Sequence, residues 1–65
     1  MKMANDKGEA VYFNSVEKNG KLFFVIKGID GTKVIGRDRQ RKASRSFTQE
    51  AQARAYLERH GFRIV

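Results

Sequence analysis

Short apolar runs rich in β-formers mark the first half of this chain, and they end at two dipeptides that favour tight turns. Val11, Tyr12, Phe13 and Val16 form a β-rich run that ends at Asn19-Gly20. Leu22, Phe23, Phe24, Val25 and Ile26 form a second run, ending at Asp30-Gly31, and Thr32 to Ile35 begin a third. Asn-Gly and Asp-Gly between such runs signal hairpins, because a type I′ turn needs positive φ at both central residues. The spacing predicts two hairpins in series, a three-stranded antiparallel meander. Two-residue loops pair Lys18 with Lys21 and Ile29 with Thr32, and hence Phe13 with Ile26, Ser15 with Phe24 and Ile26 with Ile35. Side chains alternate between faces, so Val11, Phe13, Leu22, Phe24, Ile26 and Ile35 make the expected core face. Tyr12, Asn14, Val16, Phe23, Val25, Lys27 and Val34 share the other, a mixed apolar and polar face.

The pattern changes near the carboxyl end. Glu50 to Arg59 is rich in strong helix formers, with Thr48 as expected N-cap and Glu50 at the positive end of the dipole. Ala53, Tyr56, Leu57 and His60 recur at helical spacing and predict one buried stripe. Gly61 suits the left-handed position after the helix, with Phe62 reaching back to Leu57, and Phe62 to Val65 alternate as a short edge strand would. Residues 1–9 are polar and read as a flexible, frayed terminus, leaving 10–65 as a single domain. The expected class is therefore α+β: a three-stranded antiparallel sheet against one C-terminal helix, βββα, with room for a short final strand.

Charge sharpens this picture. The chain has 65 residues, 14 Lys and Arg against 7 acids, a net charge of +7 and no cysteine. A body this small buries only about 60% of its unfolded surface, and here no disulfide or zinc–thiolate staple supports it. The excess charge is concentrated. Lys33, Arg37, Arg39, Arg41, Lys42 and Arg45 lie within residues 33–45 with Asp38 as the one acid. A strand continuing past isolated Gly36 would project Arg37, Arg39 and Arg41 to one side; otherwise residues 37–45 form a loop in which like charges repel. Gly36 itself reads as a bulge or a point of close backbone approach.

Such a balance predicts a polyanionic partner, nucleic acid above all. Lys and Arg neutralise phosphates and release counterions. A β-ribbon is narrow enough for a major groove, where Arg can fork onto guanine. The expected contacts are Lys27, Lys33, Arg37, Arg39, Arg41, Lys42 and Arg45, with Tyr12 and Phe23 on the open face. Tyr12 and Phe23 equally suit stacking on unpaired RNA or DNA bases. Catalysis is not expected. His60 is the one histidine, on the helix stripe, and Ser15, Ser44 and Ser46 have no triad partners. No Gly-rich phosphate loop, cofactor motif or metal-ligand set occurs. No apolar run approaches the ~20 residues needed to cross a bilayer, and residues 1–6 lack a secretory signal's apolar stretch; a cytoplasmic protein without a membrane partner is expected.

The stretch Phe23 to Lys33, followed by Ser44 to Leu57, resembles the amino-terminal arm-type DNA-binding domains of phage and transposon tyrosine integrases. The matching features are a strand, an Asp-Gly turn, a basic strand and the helix entry Ser46-Phe47-Thr48-Gln49-Glu50-Ala51, whose Glu-Ala pair falls one residue early. The resemblance spans about residues 11–57; it departs from the family in that no recombinase catalytic domain is expected to follow and in the terminal Phe62–Val65 strand, which is not part of the usual pattern. It implies an AP2-like sheet that enters the major groove, with Lys27, Lys33, Arg37, Arg39 and Arg41 as groove contacts. It also implies a phage or mobile-element accessory factor, whether freestanding or an excised domain. The competing class is a protein-interaction module, such as a phage-type inhibitor on an acidic host protein, docking through an apolar patch of Tyr12, Phe23, Val25 and Val34.

Overall fold

A computed structural model describes residues 1–65 and shows an α+β fold, with one helix across one face of an antiparallel sheet. The strands are β1 (Lys2–Ala4), β2 (Ala10–Lys18), β3 (Lys21–Ile29), β4 (Val34–Ile35), β5 (Arg41–Lys42), β6 (Ser44–Phe47) and β7 (Arg63–Ile64). The helix α1 (Glu50–Arg59) lies between β6 and β7. Five strands form the main sheet in the order β6-β3-β2-β1-β7, and β4 and β5 form a separate two-stranded ribbon.

The central hairpin follows the turn chemistry. Asn19 and Gly20 both take positive φ, and Lys18 pairs with Lys21, Phe13 with Ile26 and Ser15 with Phe24. Asp30 and Gly31 also take positive φ, and the Thr32 N–H donates to the Ile29 carbonyl at 3.0 Å. There the expected meander ends. Ile26 does not pair with Ile35; it faces Arg45 of β6, while Phe24 faces Phe47. The cause lies at Gly28, where a Cβ would overlap the Thr32 carbonyl oxygen. The chain passes close over this bare backbone and leaves the sheet, and the Gly28 N–H donates to the Ala43 carbonyl instead.

Leaving the sheet inverts the expected faces of Val34 and Ile35. Val34 is buried beneath the helix side and Ile35 is exposed, whereas the register of a third strand would have buried Ile35. Leu22 was likewise expected in the core and is 52% exposed, because the β2–β3 hairpin runs past the end of the helix layer. The core comprises Met3, Val11, Phe13, Ile26, Val34, Phe47, Ala53, Tyr56, Leu57 and Phe62, with Phe24 packed against it.

The segment read as a frayed terminus contains β1, which pairs with β2 on one side and β7 on the other. Met3 alternates inward opposite Val11, which three residues alone could not signal. Asn5 closes the following turn: its Oδ1 accepts from the Lys7 and Glu9 N–H groups, and its Nδ2 donates to the His60 carbonyl at the helix end.

The helix stripe is buried at Ala53, Tyr56 and Leu57, and His60 is half-buried. Gln49 rather than Thr48 is the N-cap, and no side chain bonds the first-turn amides. The C-terminus follows the Schellman pattern: the Gly61 N–H donates to Glu58 and the Phe62 N–H to Leu57, with Gly61 at φ 76°. β7 supplies the short final strand. No helix is long and apolar enough to cross a membrane.

Gly28→Ala is expected to lower unfolding free energy by about 2–3 kcal/mol, since the new methyl has no rotamer by which to avoid the Thr32 carbonyl. Urea unfolding monitored by far-UV circular dichroism measures this; a change below about 0.5 kcal/mol would refute the crossing.

Candidate nucleic-acid interface

The ribbon is held against the helix by one buried phenol. Tyr56 is buried, and its Oη accepts from the Ile35 N–H at 2.8 Å. Beyond Ile35 the chain turns tightly. The Gly36 N–H donates to the Gln40 carbonyl at 2.7 Å, the Arg39 N–H to the Gly36 carbonyl at 3.0 Å, and Arg39 adopts φ 64°. This resembles the three-residue hairpin loop in which a turn is followed by one left-handed residue. Gly36 is buried, and a Cβ there would press on the Asp38 and Lys42 side chains.

Arg37, Arg39 and Arg41 therefore do not share one side of a continuous strand. Arg37 and Arg39 occupy the turn, and Arg41 opens β5. The expected basic third strand is a short ribbon because its like charges gain nothing from lying against β3. The Ser44–Phe47 segment, by contrast, offers Phe47 to Phe24.

The basic residues fall on three surfaces. Arg37, Lys42 and Arg45 line a cleft of about 690 Å³ between the ribbon, β6 and the helix, and Arg59 of α1 joins them. Ser44, Ser46, Thr48 and Gln52 add uncharged polar groups, and no carboxylate lines this cleft. Lys33 and Arg41 lie on the other side of the ribbon, in a mixed cleft with Lys7, Glu9, Asp30 and His60. Lys27, Tyr12 and Phe23 sit on the sheet face away from the helix.

Within the helix-side cleft the cations are not equivalent. The Arg45 guanidinium lies 4.5 Å from the Phe47 ring centroid and 5.6 Å from that of Tyr56, and its Nη1 donates to the Ile35 carbonyl at 3.2 Å. Arg45 is half-buried and braces the ribbon, a role its place in a basic run did not reveal. Lys42 approaches Asp38 at 3.4 Å. Arg37 and Arg59 are exposed and appear in no ion pair. Arg59 flanks the buried helix stripe one turn after Tyr56, and its distance in sequence from the basic run hid it from a local charge count. His60 stacks on Tyr56, with ring centroids 4.3 Å apart.

The open sheet face is more extensive than the sequence implied, because β1 and β6 widen it. Cross-strand pairing places Lys2, Tyr12, Lys27 and Ser44 in one row over four strands. The next row holds Asn14, Val25 and Ser46; Val16 faces Phe23 beyond it, and Lys18 faces Lys21 at the turn. No strand position on this face is acidic. Arg63, on the same face beside Ala4, is paired with Asp6 at 3.0 Å. Tyr12 is 44% exposed and Val16 46%, while Phe23 and Val25 are half-buried. Val34 does not belong to this face. No protein family, curated protein or solved structure matches the chain.

Asp38 anchors the ribbon turn. The Gln40 N–H donates to its Oδ1 at 3.1 Å, and this bond, aided by the Lys42 ammonium, holds its carboxyl below the usual aspartate value against an opposing desolvation. A lowered carboxyl contributes order to the turn above the ordinary aspartate range and loses it as pH falls through its own lower value. An NMR titration should give Asp38 a midpoint below the ordinary aspartate value, with the Gln40 amide shifting in step; a midpoint at or above that ordinary value would contradict the turn geometry.

Proposed function

We propose that this chain is a small, non-enzymatic nucleic-acid-binding protein that holds phosphates along a cationic surface wrapped around the free edge of β6. One observation carries the reading: the open sheet face, with no acidic strand position, and the helix-side cleft, with no carboxylate in its lining, meet at β6. Lys27 neighbours Ser44 across the sheet, and Ser44 lines the cleft with Arg37, Lys42 and Arg59. A phosphate backbone crossing that edge meets cations on both sides, which supplies affinity through counterion release.

The expected route into duplex DNA needs revision. Five strands at ~4.8 Å spacing put the outer strands roughly 19 Å apart, too wide for a major groove of about 12 Å. The β4–β5 ribbon has the width for it, and its turn presents Arg37 and Arg39. Arg39 there takes a left-handed backbone that costs a non-glycine residue about 1–2 kcal/mol. A cation kept at a strained tip supports a role in contact, because glycine would be the more stable choice. Duplex DNA is the proposed ligand of this ribbon, in keeping with the resemblance to arm-type domains. The alternative of an acidic protein partner draws less support, since Val34, one of the four residues of its apolar patch, is buried on the other side.

Fluorescence anisotropy with a labelled duplex at ~50 and ~200 mM salt tests the reading. Affinity is expected to fall about tenfold or more across that range. Arg37→Ala with Arg59→Ala is expected to flatten the log–log salt slope by about 2, one unit per lost phosphate contact. No binding at the lower salt, or an unchanged slope, would overturn the proposal. Arg39→Gly should separate the two demands on the tip: thermal unfolding is expected to show a gain of about 1 kcal/mol, and duplex affinity a loss.

A further inference from the structure

We infer that the open sheet face is a stacking platform for an unpaired nucleic-acid strand, with Tyr12 as its central base-stacking residue and Lys2 and Lys27 as flanking phosphate contacts. This rests on the nucleic-acid reading and assigns a second mode to it, distinct from groove entry by the ribbon.

The geometry begins with the row Lys2–Tyr12–Lys27, whose three residues occupy directly opposed positions on adjacent antiparallel strands. Opposed side chains on one face stand about 5 Å apart. The phenol ring therefore rises between two ammonium groups on flexible stems. A planar base laid on Tyr12 would have its flanking phosphates within reach of both. Phe23 lies on β3 beside Val16, four residues along β2 from Tyr12, or roughly 13 Å at the rise of an extended strand. Asn14, Val25 and Ser46 occupy the row between, with polar groups at both sides and an apolar floor. A strand running from Tyr12 towards Phe23 thus meets a ring, a row able to hydrogen-bond base edges, and a second ring.

Charge and shape together select this occupant. Lys2, Lys18, Lys21 and Lys27 project from the face, no strand position on it carries a carboxylate, and Tyr12 stands exposed among them. An apolar protein partner would leave these ammonium groups unpaired against it. A duplex presents no base faces to Tyr12, and its major groove is narrower than the sheet. An unpaired strand offers π-faces and phosphates together, which is the combination that base-stacking proteins use.

Three labelled ligands of equal length test this: an unstructured single-stranded DNA, its RNA counterpart, and the DNA duplex, with the full chain at low salt. Tyr12→Ala is expected to weaken single-strand binding roughly tenfold to a hundredfold, the range for losing one stacked base. Tyr12→Phe should retain it and Tyr12→Leu should not, while duplex binding stays unchanged in all three. Tyr12 is exposed, so these variants should fold; amide shift mapping on the unaltered chain gives an independent readout. Single strand should perturb the Lys2–Tyr12–Lys27 row, whichever of DNA or RNA binds more tightly. Wild-type single-strand affinity in both Tyr12→Ala and Tyr12→Leu, or shifts confined to the ribbon and cleft, would overturn the platform while leaving phosphate binding intact. Failure of every ligand to bind the unaltered chain would overturn both readings together.

Discussion

With no side chain at Gly28, the Thr32 carbonyl settles against the backbone of β3, and the chain is free to leave the sheet immediately after its second turn. Three consequences follow from that departure. Val34 becomes a core residue beneath the helix side instead of an outward-facing position. The edge of β3 is left for β6, which brings Phe47 opposite Phe24 and Arg45 opposite Ile26. The residues in between fold back as a ribbon, fastened by the Tyr56 hydroxyl to the Ile35 N–H. A side chain at position 28 would block the close approach and favour a plain meander.

Where a turn or cap depends on a few adjacent residues, the sequence was legible. Asn19-Gly20 and Asp30-Gly31 set two turns and the complete β2–β3 register, and Gly61 with Phe62 set the helix end. Ala53, Tyr56 and Leu57 emerged from helical spacing alone. What stayed hidden depended on partners distant in sequence. Ser44-Arg45-Ser46-Phe47 has little strand character of its own, and becomes a strand because β3 has an open edge and Phe24 needs cover. Lys2-Met3-Ala4 is too short to display a period, yet it closes the gap between β2 and β7. Val34 and Ile35 were assigned to the wrong faces because parity was carried through a turn after which the strand does not continue.

The candidate site was legible as composition and illegible as geometry. The basic run stood out, but its members part company in space. Arg45 serves packing: its stacking on Phe47 and Tyr56 and its bond to Ile35 stabilise the ribbon that carries Arg37 and Arg39. Lys42 is tied to Asp38, and Arg54 and Arg63 are tied to Glu50 and Asp6. These exposed pairs contribute little to stability, typically no more than about 1 kcal/mol each. They nevertheless mark which cations already have a neighbour of opposite sign. Arg59 came into the cleft from a different part of the chain, which no local charge count could reveal.

The remaining excess charge opposes compaction, since like charges crowded on so small a body repel one another. The fold limits that cost by distribution: lysines spread over the open face, and arginines at the ribbon turn, where Asp38 is the one acid. Neutralising the surplus with nearby acids would have relieved the repulsion more simply, as Asp38 does for Lys42. The open-face lysines oppose no acidic strand position, and Arg37 and Arg59 enter no ion pair, which leaves an electrostatic tension that a polyanion would relieve on binding. Stability and binding are then linked through the same side chains, and the surfaces that cost the free protein most are those with most to gain from a phosphate backbone.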